Sequence, residues 1–286
     1  MTLRLSAALV LLLSFVAPLR GQTDEGDRLW LLRAEGALES RAAEEPADAV
    51  INAYGTALHD HPESLETRWK LMRALRFKGA YVAQDVEQKR VIFDRARQVG
   101  EAGLAQLDRA LAAKEAGSVM KGKEAIVATT LRTIPHAGEF LYWDAVAWGE
   151  WAQAFGKIPA VRQGAADRIL RETTLAMMID PAIEDGGGAR VLGRLHHQTP
   201  RIPFITGWAS DAKAVQHLRA SLELGPENKL TRIFLAEALA SHRKADRPEA
   251  VALLRSVVQD PVDPAFAVED AEAQEQAQAL LAKWGE

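Results

Sequence analysis

The sequence predicts an all-α fold, an irregular tetratricopeptide-like stack of helical hairpins, on three observations. Alanine, leucine, arginine and glutamate dominate, and aromatic residues make up only 6% of the chain. β-Branched residues rarely alternate with polar ones, so no convincing strand pattern appears. Proline- and glycine-marked breaks also recur at helix-length intervals. With 286 residues and 48% apolar content, the chain can bury a full core as one or two domains. A net charge of -4 provides no basic surplus for nucleic acid or anionic lipid, so no nucleic-acid partner is expected.

The N-terminus comes first. Arg4 precedes the apolar run at 5–18, too short for a confident membrane span but suited to a secretory signal. Residues 1–21 are therefore expected to be a signal peptide, with Ala17 or Gly21 as cleavage points or the segment retained as an anchor. With no cysteine, an exported fold cannot use disulfides. The same absence rules out a lipoprotein, because Gln22 stands where a lipobox would end in cysteine.

Residues 22–45 read as a polar leader and first helix, and 46–286 as a single helical-repeat domain. Helices are expected near 28–44, 47–60, 64–82, 85–113, 123–133, 138–156, 160–179, 187–198, 211–224, 228–243, 247–259 and 267–284. His61-Pro62, Asp180-Pro181, Gly225-Pro226 and Asp260-Pro261 each close one. Pro226 and Pro261 lie 35 positions apart, close to the ~34-residue tetratricopeptide period. Asp246, with Glu249 three positions on, is expected to cap the second helix of that unit.

The helix at 138–157 is the most aromatic. Placed on a wheel, Glu139, Glu150, Gln153 and Lys157 mark the solvent stripe. Asp144 falls opposite, among Phe140, Leu141, Ala147, Trp148, Trp151 and Phe155. A carboxylate buried there needs a cation, donors or a proton. It is expected either to pair with Arg190 or Arg194 and fix the register of two helices, or to form a polar contact at the wall of an aromatic cavity.

The stretch DGGGARVLGRLHHQTP at 185–200 places four glycines in a helix-rich chain. Gly188 and Gly193 have phosphate-loop spacing, but Arg194 and Leu195 replace lysine and a hydroxyl residue, and no strand precedes them. Close packing is the better reading: a helical glycine costs ~1 kcal/mol against alanine, so Gly193 marks a place where a side chain would collide.

These features resemble a known family. An export signal, the helix carrying Tyr142, Trp143, Ala145, Ala147, Trp148 and Gly149, an Asp-Pro helix end and the Gly186–Gly193 stretch occur in this order. Together they are similar to the T component of TRAP transporters, tetratricopeptide-like periplasmic proteins. The resemblance implies a non-enzymatic helper of the transporter's solute-binding subunit, self-association as a homo-oligomer, and an internal cavity for a small organic or hydrophobic ligand. The expected contact residues are Tyr142, Trp143, Asp144, Trp148, Trp151, Gly186, Gly187, Gly188, Arg190, Gly193 and His196.

Two other readings compete with this one. A general tetratricopeptide scaffold would bind a protein or peptide in the cell envelope, supported by the regular unit at 228–259. An enzyme would draw on His59 and His61 or on His196 and His197. The first pair lies at a helix end, where imidazolium meets terminal carbonyls. The second points ~100° apart and cannot share a metal. No catalytic residue, cofactor or metal is assigned.

Overall fold

The computed structural model describes residues 23–201 and 206–286. The expected signal peptide lies outside the described residues. Among them are thirteen α-helices and no strand: α1 (Asp24–Leu31), α2 (Glu44–Asp60), α3 (Leu65–Tyr81), α4 (Val86–Ala112), α5 (Glu124–Leu131), α6 (Ala137–Phe155), α7 (Lys157–Arg162), α8 (Ala165–Ile179), α9 (Gly187–Gln198), α10 (Asp211–Leu224), α11 (Lys229–His242), α12 (Arg247–Gln259) and α13 (Ala267–Trp284). None of the helices is long and apolar enough to cross a membrane.

Local chemistry sets many of the ends. Ser64, Asp85, Ser210 and Asn228 each accept a hydrogen bond from an amide three residues on, opening α3, α4, α10 and α11. The four expected proline breaks follow α2, α8, α10 and α12. Three expectations are corrected. Residues 32–43 form turns rather than continuing the first helix, which begins earlier, at Asp24. Gly164, at φ +67°, divides the expected 160–179 helix into α7 and α8. Asp246 does not cap α12, because a short 3-10 turn holds it in helical geometry and its carboxylate accepts from Arg243 Nε at 3.0 Å.

Most successive helices pack on one another, but α5 packs on α4 and α8, and α6 packs chiefly on α8 and α4. In addition, α3 touches α6, α6 touches α9, α9 touches α11 and α11 touches α13. The two ends of the stack meet: Arg33, just past α1, pairs with Glu269 of α13 at 2.8 Å, and Ser40 donates to Glu275 at 2.7 Å. Val268 of α13 is fully buried against Ala47, Phe77 and Tyr81.

One apolar core joins α2 to α6 and α8 around Tyr54, Leu107, Phe140 and Leu175. A second joins α10 to α13 around Leu218, Ile233, Leu239 and Leu254. Helix α9 connects them, and the glycines let it do so. Leu218 packs where Gly193 would carry a Cβ, and Met177 Cγ lies 2.5 Å from the Cβ position of Gly188. Gly186 enters α9 at φ +76°, a left-handed conformation that costs glycine little.

Candidate functional site

The residues singled out in the sequence lie on both sides of α6 and along α9. On the side of α6 toward α9, the Tyr142 ring rests on Gly187, whose Cβ position is 2.7 Å from the ring edge. The two aromatic and glycine motifs therefore meet directly at this contact. Trp143 stands edge-on to Tyr142 and donates from Nε1 to Glu184 Oε1 at 3.3 Å. Arg190 of α9 donates to the Glu184 carbonyl at 3.1 Å and to Thr231 Oγ1 of α11 at 3.2 Å. Burial, with Arg190 working against it, pushes the Tyr142 hydroxyl above its usual range, so it remains a neutral donor.

The opposite side of α6 faces α4 and α8. Asp144 is 0% exposed, as its place on the wheel required. Its partner is neither Arg190 nor Arg194: Arg168 Nη2 of α8 reaches Asp144 Oδ2 at 2.7 Å. The same guanidinium meets Glu172 Oε1 at 2.8 Å and Glu101 Oε1 at 2.7 Å, and lies 4.5 Å from the Trp148 ring centre. One arginine thus ties three helices together. Arg190 is spent on α11 and Glu184, and Arg194 pairs with Glu237 at 2.6 Å.

Room for Asp144 comes from Gly100 of α4, whose Cβ would overlap Oδ1. Asp144 Oδ1 and Glu172 Oε2 are both buried and accept no donor from an amide, hydroxyl or cation. Burial, and then the charge of Asp144, raises Glu172 well above the carboxylate range. Burial also raises Asp144, opposed by Arg168. Burial and the neighbouring Asp144 charge thus favour the protonated form of Glu172, while Arg168 favours the charged form of Asp144. Trp151 extends the same wall, stacking on Phe155 at 4.7 Å and donating to Asp94 Oδ1 at 3.2 Å.

His196 faces a different neighbour. Its ring stacks on His217 at 5.5 Å and meets the edge of Trp208 at 5.2 Å. Burial and the adjacent His217 lower its pKa to about 4, so the ring is neutral near pH 7. His197 points toward Asp211, 3.8 Å away. The two rings diverge, and among the described residues no cluster of three or more potential ligands could hold a metal.

Sequence reasoning missed Gly100, Arg168 and Glu172. Arg168 and Glu172 have helical i,i+4 spacing, but only the fold shows which carboxylate they meet. The model of a family described as TRAP transporter T-component matches residues 76–286. No curated protein matches the chain.

Proposed function

The chain belongs to the TRAP transporter T-component family, and we propose that it is a non-enzymatic periplasmic accessory that associates with the transporter's solute-binding subunit and holds a small organic ligand. The observation that carries this reading is the family match, which includes the whole of α6 and α9. Residues 1–21 act as the export signal, and 46–286 work as one body.

The geometry supports a division of labour among the candidate residues. Trp143 and Tyr142 of α6 and Arg190 of α9 meet where the two helices approach, and the small ligand is assigned to this aromatic surface with its few polar groups. Asp144, Trp148 and Trp151 hold α6 from behind through α4 and α8. Gly186, Gly187, Gly188 and Gly193 set the approach of α9, and His196 secures α9 to α10. Tagged full-length chain, captured from a gentle extract of its host's envelope, is expected to bring down an extracytoplasmic solute-binding subunit. Recovery of unrelated polypeptides alone would instead favour a general scaffold.

A further inference from the structure

Where α9 meets α10, two imidazole rings face each other. Gly193 of α9 admits Leu218 of α10 into the space a Cβ would fill, and that close approach brings His196 against His217, the residue before Leu218. The rings lie 9° from parallel with centres 5.5 Å apart, and the edge of Trp208 closes on His196 at 5.2 Å. His196 is 5% exposed, and its Nδ1 is buried without a hydrogen-bond partner.

A neutral imidazole tolerates this setting when Nδ1 is the nitrogen that carries no hydrogen. An imidazolium does not: both of its nitrogens are donors, so Nδ1–H would be buried with no acceptor. Charge on one ring also opposes charge on the other across a contact with little water. The surroundings offer no relief. From α10, His217 and Lys213, one turn before it, both oppose a positive His196, and burial and Lys213 disfavour charge on His217. Among the described residues no carboxylate offsets either effect. The acids on the helices packed against α9 are committed elsewhere: Asp211 of α10 faces His197 and Arg201, Glu237 of α11 pairs with Arg194, and Asp144 of α6 and Glu172 of α8 meet Arg168.

We propose that the His196–His217 pair is an acid-sensitive latch: neutral, it holds α9 on α10; protonated, it parts them and frees α9, the helix that joins the two cores. The latch rests on this contact and not on the transporter reading. Burial and His217 lower His196 to about 4, against 6.5 when the ring is open to water, so opening takes up protons as pH falls from 6.5 toward 4. The closed contact is therefore strongest above pH 6.5 and weakens through that window. Glu172 acts in the opposite sense, favouring the fold toward acid, so the test compares variants with the parent.

The test is amide exchange read by mass spectrometry on the full chain at about pH 7.5 and about pH 5, with rates corrected for the intrinsic effect of pH. At the lower pH, protection is expected to fall by about tenfold or more in Gly187–Gln198 and Asp211–Leu224, with Leu65–Tyr81 nearly unchanged. His196→Phe keeps an aromatic ring against Trp208 and His217 but takes no proton, so it should lose most of that response. Lys213 is exposed, three residues after the Ser210 cap of α10, so Lys213→Glu keeps the helix start intact while replacing a repelling charge with an attracting one. It should weaken the response at least about twofold, and it serves as the test if His196→Phe does not fold. Unchanged protection in the parent at the lower pH, an equal loss of protection in α3, or a full response in either folded variant would each overturn the latch.

Discussion

Arg168 Nη2 and Asp144 Oδ2 lie 2.7 Å apart, with the carboxylate at 0% exposure. Breaking a buried pair costs more than the pair contributes, because the remaining charge loses its partner inside the protein. Asp144→Ala should therefore destabilise the chain by about 3 kcal/mol, the low end of the usual range, since Glu172 and Glu101 stay beside Arg168. Urea unfolding checks this, and a change below about 1 kcal/mol would mean that Asp144 does not hold α6 to α8.

Two glycines separated by one helix interface should respond in opposite directions. Gly100→Ala places a methyl group on Asp144 Oδ1 and should cost about 1–3 kcal/mol. Gly149→Ala on α6 meets nothing within 4 Å and should gain about 0.5–1 kcal/mol from helix propensity. Thermal melts of the two variants provide the comparison, and equal shifts would contradict this packing.

The raised Glu172 pKa makes stability depend on pH. In the unfolded chain Glu172 loses its proton near 4.5, whereas burial and Asp144 keep it protonated in the folded protein well above that. Above pH 4.5 the unfolded state thus binds fewer protons, and stability falls as pH rises, by at most about 1.4 kcal/mol per unit. Glu172→Gln should match the parent near the acid end of this window and exceed it increasingly toward neutral and alkaline pH. Denaturation curves across that range test the prediction, and parallel pH profiles would refute it.

Much of this was legible in the sequence, for reasons that differ by residue. The bounds of α9, α10, α12 and α13 match their expected spans because local signals mark their ends: the glycine entry at Gly186, the Ser210 cap and the breaks at Pro226 and Pro261. The inward Asp144 followed from helical periodicity alone. Its partner did not, because choosing among arginines requires knowing that α6 packs on α8, across the intervening α7. Gly164 looked tolerable inside a helix, yet its left-handed φ breaks the chain there.

Closure of the stack rests on Arg33, which is 4% exposed and held by Glu269 and by the Ala265 carbonyl at 2.5 Å. Arg33→Ala should loosen both ends together, so amide exchange should quicken in Asp24–Leu31 and in Ala267–Trp284 while α6 stays protected. Faster exchange at only one end would show that the two helices open independently.

Native mass spectrometry of the complex isolated gently from the host tests the functional reading most directly. The account predicts one assembly containing this chain, a solute-binding subunit and a small retained molecule, and loss of that molecule in the Trp143→Ala protein. A chain that carries neither receptor nor small molecule, or that carries some other polypeptide in their place, would contradict it.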